Sequence, residues 1–280
     1  MALILSATGA SAQTVDAPPV RDILVRVADY VRQFQANFAL AVSDERYEQI
    51  VFVNTSTIAA TRVMDSEMLF VWLPHEQLWL AARNPRVVDG KPVEDSAGQL
   101  ERAVGGTVAG QRARLARLRD ESAKYNIGPI RRNFSDPTFA LQFGAAALQS
   151  RFRWQVMERD RTNGVDAWRI DYEEIARPAL IRRERISLPA SGSLWVDVAT
   201  GAIVRTRLYV SDNGTRVRAN MDVDYRFEPK LEVWVPVRMS EIYSQTRERG
   251  STATLRETRV RCQASYTNYR RFDATVRVLP

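Results

Sequence analysis

Asp222 and Asp224 stand two apart, and Asp171, Glu173 and Glu174 form a second acidic group. Paired carboxylates are what glycoside hydrolysis and related acid–base chemistry require, one holding a proton and the other ionised. On a strand, however, a spacing of two puts Asp222 and Asp224 on one outward face. Arg216, Arg218 and Arg226 stand nearby in the sequence, so cross-strand ion pairing accounts for the arrangement without catalysis. His75 is the one histidine of the chain and follows Pro74. It can build neither a multi-histidine metal site nor a serine triad with a residue such as Ser66, because no Gly-x-Ser-x-Gly elbow occurs. Gly105, Gly106 and Gly110 lack the Lys-Ser/Thr of a phosphate loop and read as a flexible link. Cys262, the one cysteine, lies in the alternating run Thr258, Val260, Cys262, Ala264, which makes it a small buried hydrophobe rather than a reactive thiol. These residues imply no enzyme, metal or cofactor.

The net charge of +7 is carried almost wholly by arginine, with lysine only at 91, 124 and 230. Arginines spaced by two recur at 205/207, 216/218, 247/249 and 259/261, which predicts a positively charged outer sheet face. Such a face guards strands against aggregation, or it meets an anionic surface such as phospholipid headgroups or an acidic partner.

The elements that must carry these residues follow from periodicity. Val20, Ile23, Leu24, Val27, Tyr30, Val31, Phe34, Phe38 and Ala41 recur at helical spacing and predict an amphipathic helix over about 20–42, ending in Ser43 to Arg46. Strands are expected at Tyr47–Asn54, Glu67–Leu73 and Gln77–Val87. Residues from about 95 to 150 read as a helical insertion, broken at Asn126 to Pro129 and restarted at Asp136-Pro137. From Ser150 onward the period is two. Phe152/Trp154/Val156, Trp168/Ile170/Tyr172, Leu194/Val196/Val198, Thr206/Leu208/Val210, Met221/Val223/Tyr225 and Val233/Val235/Val237 alternate with polar residues. Turns fall at Thr200-Gly201 and Asn213-Gly214. Two last strands are expected at Thr254–Tyr266 and Phe272–Val278.

Clean alternation means one buried and one wet face, as in antiparallel sheets. The expected fold class is therefore α+β: a mainly antiparallel, unclosed (half) β-barrel of about 10–11 strands, with helices covering its concave face. Ala2 to Gly9 is short and apolar and runs into Ala10-Ser11-Ala12, which predicts a signal-peptide remnant at 1–12 and a single exported domain at 13–280. No other apolar run approaches the roughly 18 residues of a membrane span.

This order of elements, with the segments Leu194-Trp-Val-Asp197, Thr200-Gly201 and Trp234-Val-Pro-Val237, resembles the LolA/LolB-like superfamily of periplasmic lipoprotein carriers, which includes sigma-factor regulatory sensors. Runs such as Asp44–Gln49 and Glu121–Gly128 also resemble exported proteins of soil bacteria. The resemblance implies a periplasmic location, an unclosed barrel whose apolar hollow takes acyl chains, and movable covering helices. The expected function is non-enzymatic binding of lipid or lipoprotein acyl chains. The inward-phase residues Trp154, Trp168, Ile170, Leu208, Met221, Val223, Tyr225, Val235 and Val237 are the candidate cavity lining. The alternative is an envelope scaffold or sensor that binds another protein through its basic face or a sheet edge. Nucleic acid does not fit an exported chain.

Overall fold

The structure, a computed structural model, describes residues 18–272 except 55, 106, 107, 131, 133, 134, 184 and 250–253. The expected signal segment 1–12, and the expected last strand beyond Phe272, lie outside the described residues.

The first element is helix α1 (Val20–Phe38). Ile23, Val27, Tyr30, Val31, Phe34 and Phe38 form one stripe on it and are all buried. Full burial of such side chains is worth about 1.5–3 kcal/mol each, more than the propensity of the helix alone supplies. The helix is shorter than its apolar pattern predicts, because Leu40 adopts φ 54° and turns the chain into strand β1 (Ala41–Val53). Ser43 to Arg46, expected to close the helix, are therefore strand. On the wet face Asp44 accepts bonds from Asn268 and Arg270, and Arg46 pairs with Asp65. Glu45 points inward.

Strands β2 (Thr57–Leu73), β3 (Leu78–Val88) and β4 (Lys91–Pro92) complete the first hairpin group. Helices α2 (Gln99–Val104) and α3 (Val108–Ala123) follow, then a 3-10 turn at Ala140–Gly144 and the short α4 (Ala146–Gln149). The rest is a meander: β5 (Phe152–Thr162), β6 (Val165–Glu174), β7 (Ile181–Arg183), β8 (Ile186–Leu188), β9 (Ala190–Asp197), β10 (Ile203–Asp212), β11 (Val217–Glu228), β12 (Val233–Arg249) and β13 (Thr254–Arg271). Strands β7 and β8 pair only with each other.

All other strands form one antiparallel sheet in the order β4-β3-β2-β1-β13-β12-β11-β10-β9-β6-β5. Its edges, β4 and β5, do not meet, so the sheet is an unclosed half-barrel. Strand β1 pairs with β13 over Ala41 to Val53, so the first and last described strands join at the middle of the sheet.

The segment between β4 and β5 has to travel from one edge to the other, and it does so in two parts. Helices α2 and α3 lie along β3 rather than over the hollow. Leu100, Ala103, Leu115 and Leu118 pack with Leu69, Val71, Leu73 and Ala82 on the outer face, in a cluster separate from the main core. A helix placed this way also covers the open side of β3, one of the devices that prevent edge-to-edge pairing. The described residues of 125–149 then cross the concave face as a strap. The Ile127 N–H donates to Gln49 of β1, and the Tyr225 hydroxyl of β11 donates to the Pro137 carbonyl at 2.6 Å. Gly128, at φ 86°, rests on the sheet so closely that a Cβ there would stand 3.1 Å from both Val51 and Val260. The expected helix restart at Asp136-Pro137 is a turn instead, with the Asp136 carboxylate accepting from the Thr138 N–H and hydroxyl. Strap and α1 together cover the concave face.

Candidate binding site

The sequence-derived candidates on the apolar part of the concave face come from five strands, β5, β6, β10, β11 and β12. Trp168, Ile170, Leu208, Met221, Val223, Tyr225 and Val235 are all buried in one core cluster. That cluster also contains Phe34 and Phe38 of α1 and Leu141 and Phe143 of the 3-10 turn. Trp154 is half-buried at its margin, with its indole N–H donating to the Gln149 carbonyl. Val237 is apart from the others. Asp224 and Tyr225 face Arg238 and Pro236, so Val237 is the extra residue of a bulge and stands half-buried outside the cluster. The seven clustered side chains pack directly beneath helix and strap. The Tyr225 hydroxyl donates to the strap at the Pro137 carbonyl, and elsewhere under α1 Phe38 lies 4.7 Å from Phe70 and 5.6 Å from Tyr269 between ring centres.

What holds this cover down is chiefly apolar contact. Polar ties from α1 include Arg26 to the Val198 carbonyl, the Tyr30 hydroxyl to the Trp234 carbonyl, Gln35 to Gln142, and Gln149 to the Leu24 carbonyl. None belongs to a strand ladder.

Toward the β1–β13–β12 centre the concave face turns polar. Glu45 and Arg83 form a bidentate ion pair with side-chain exposures of 0% and 7%. The Arg83 guanidinium lies 4.1 Å from the Tyr47 ring centre. Glu241, fully buried, accepts from the hydroxyls of Tyr47 at 2.7 Å, Tyr243 at 2.6 Å and Ser135 at 3.1 Å. Burial, reinforced by the Glu241 charge, pushes both tyrosine phenols well above their ordinary range. Arg132 of the strap is buried beside them, donating to Gln49 and reaching the Cys262 sulfur at 3.6 Å. Burial pushes the Cys262 thiol up to about 12, which keeps it unreactive at neutral pH. A hollow of about 240 Å³ opens between this tier and α3. Arg83, Arg132, Ser135, Asn126, Met68 and Ala81 are among its lining residues. None of the nine sequence-derived candidates lines it.

The polar tier is legible only through its phase. Glu45, Gln49, Glu241 and Gln245 each stand on the same alternation as buried apolar residues, and a polar residue on the inward phase of a strand needs a buried partner.

The other acidic groups have structural partners. Asp222 pairs with Arg205 and Arg207 of the neighbouring strand, not with Arg216, Arg218 or Arg226, and both of those arginines lie over the Trp195 ring. Glu173 pairs with Arg153, and buried Glu174 binds Arg151 and the N–H groups of Leu180 and Ala190. His75 is exposed in the β2–β3 turn. Among the described residues no group of three His, Cys, Asp or Glu side chains converges as a metal donor set, and no helix is long and apolar enough to cross a membrane.

No family model matches the chain, and no curated protein matches it. Among solved structures it is similar to a domain described as outer membrane lipoprotein-sorting from Vibrio parahaemolyticus, at 11% identity over 91% of this chain and 95% of that one, with a TM-score of 0.35. It is also similar to a DUF1329 family protein from Desulfovibrio piger, at 10% identity over 93% and 95%, with a TM-score of 0.36. A third is the MucA/MucB complex structure of Pseudomonas aeruginosa, at 10% identity over 84% and 93%, with a TM-score of 0.22.

Proposed function

We propose that this chain is a non-enzymatic binding protein of the bacterial periplasm that houses acyl chains of a lipid or lipoprotein between the concave sheet face and its helical cover. One observation carries the reading. The largest apolar surface of the sheet is roofed by elements joined to it through side chains, while the sheet keeps its own continuous ladder. Lifting α1 would therefore bare Leu208, Met221, Val223, Tyr225 and Val235 without breaking a strand pair, and an acyl chain would replace the contacts of Phe34 and Phe38. Binding of this kind is driven by apolar burial and needs few polar groups.

A second reading, docking of an envelope protein on the outer face, has one specific support. Ile50, Arg261, Ile242, Asn220 and Tyr209 form a row across five strands, with Ile242 and Tyr209 about 40% exposed and Arg261 without an acidic partner among the described residues.

The test is native mass spectrometry of the protein purified from a bacterial periplasm, followed by solvent extraction and titration with a fluorescent fatty acid. Acyl lipid should co-purify or be taken up, and Val235→Asp, checked for folding by circular dichroism, should lose it. A clean apo mass with no uptake overturns the acyl-chain reading and leaves the outer-face one.

A further inference from the structure

The polar tier contains two carboxylates and two guanidinium groups, but they form only one ion pair. Glu45 takes Arg83 in a two-bond contact. Glu241 is occupied by three hydroxyls, those of Tyr47, Tyr243 and Ser135. Arg132 shares this tier with the Glu241 charge but makes its own direct contacts with neutral groups. Its Nη2 donates to the Gln49 side-chain carbonyl, its Nη1 meets only the Cys262 sulfur, its plane lies 5.7 Å from the Tyr243 ring centre, and its Nε has no acceptor. The residue is 3% exposed. A guanidinium so far from water is normally matched by an anion, because charge is costly to bury alone and planar donors suit two-oxygen acceptors.

Arg132 also lines the hollow of about 240 Å³. That is many times the roughly 10–15 Å³ one water needs, so a phosphate- or carboxylate-sized group fits with carbon attached. Ser122, Asn126 and Ser135 offer polar edges, and Arg119 stands at the rim. Of the two acidic side chains on the wall, Asp136 is turned to Thr138 and Asp120 is exposed. On the opposite side Met68 and Ala81 belong to the same apolar cluster as the residues proposed to take acyl chains.

We infer that this hollow is an oxyanion subsite in which Arg132 receives the phosphate or carboxylate end of an amphiphile whose apolar part enters the core past Met68 and Ala81. The inference rests on the acyl-chain reading for the apolar part of the ligand; the anion site itself does not depend on it.

The experiment compares three probes on the full chain by calorimetry and displacement of a fluorescent fatty acid: dodecyl phosphate, dodecanol and inorganic phosphate. Dodecyl phosphate should bind about tenfold tighter than dodecanol or better, the size of one charge-assisted hydrogen bond to a buried group. Arg132→Gln should erase that preference and leave dodecanol binding unchanged. Arg132→Lys, which keeps the charge, should retain part of it. If Arg132→Gln does not fold, competition by inorganic phosphate at constant ionic strength on the unaltered protein reads the same site. Inorganic phosphate binding as tightly as dodecyl phosphate would assign the site to a free oxyanion, and a clear advantage of the dodecyl ester would assign it to a headgroup. Equal binding of dodecyl phosphate and dodecanol, with no uptake of phosphate, overturns the subsite but leaves acyl binding standing. Failure of both amphiphiles, with phosphate still bound in an Arg132-dependent way, sinks the acyl reading instead.

Discussion

Raising the pH should unfold this protein abruptly, because its core is unusually rich in phenols. Seven of its nine tyrosines, Tyr30, Tyr47, Tyr172, Tyr225, Tyr243, Tyr266 and Tyr269, are buried, and burial pushes each phenol above its ordinary value of 10.0. Cys262 moves the same way, from 9.0 to about 12, through burial and then the nearby Glu241 charge. A weak acid whose pKa is raised by folding holds its proton longer in the folded chain than in the unfolded one. Its stabilising contribution is complete below the unfolded pKa and is lost as pH climbs from there toward the folded value. One unit above an unfolded pKa of 10 the loss is about 1.4 kcal/mol per phenol. Seven phenols together then remove on the order of 10 kcal/mol at about pH 11, and the thiol adds about 2.7 kcal/mol. Domains of ordinary stability have about 5–15 kcal/mol to lose. Far-ultraviolet circular dichroism and tyrosinate absorbance, followed in one alkaline titration, should therefore change together in a single steep step close to pH 11. Tyr266→Phe should make that step shallower by about one proton. Phenols that ionise gradually around pH 10 while the dichroism stays native would refute the reasoning, since they would have to be in contact with water.

Two further outcomes are expected. Arg83→Met leaves Glu45 buried without its partner and should cost about 3–5 kcal/mol in urea denaturation, while adding Glu45→Leu should recover part of the loss; equal stability of single and double variants would contradict a buried pair. Gly192→Ala should cost about 3 kcal/mol or more, because a Cβ there would stand 2.0 Å from the Arg207 carbonyl oxygen, and Tyr172→Phe should cost about 1 kcal/mol for the lost bond to that same oxygen. A native midpoint in Gly192→Ala would show that the Tyr172 hydroxyl and the Arg207 carbonyl do not meet over Gly192.

The meander was legible because alternation is a local signal, and each inward residue from Trp168 to Val235 announces its phase within a few positions. The start of β1 was not. Ser43 to Arg46 is a polar run that closes a helix by every local rule, and it becomes strand only because Asn268, Arg270 and Arg83 supply partners from far along the chain. Thr57 to Ser66 of β2 was missed for a related reason, since the side chains from Thr57 to Arg62 are mostly exposed on both faces and show no buried phase. Asp136-Pro137 carried a valid capping signal, but with Pro137 held by Tyr225 the chain turns at Asp136–Thr138 and winds only into the 3-10 turn and the short α4 in place of one helix. In the site, the apolar side was readable residue by residue. The polar tier shows only in the inward phase of its strand residues, and Arg132 not at all, because it comes from an irregular segment whose placement over Gln49 and Cys262 no periodicity encodes.

The pairing of β1 with β13 also sets the order in which the molecule can be built. Ala41 meets Arg271 and Val53 meets Thr258, so the middle of the sheet joins segments separated by more than two hundred residues. As the chain emerges from its N-terminus, β1 to β4 can form a hairpin group and β5 to β12 a meander, each with neighbours close in sequence. The groups stay unjoined, and the Tyr47 hydroxyl unmatched with Glu241 across the seam, until β13 arrives and seals it. Contacts of such long range slow folding and leave two open strand edges waiting. Loss of the last twenty described residues should therefore leave two half-sheets that cannot close on each other, however well each is formed.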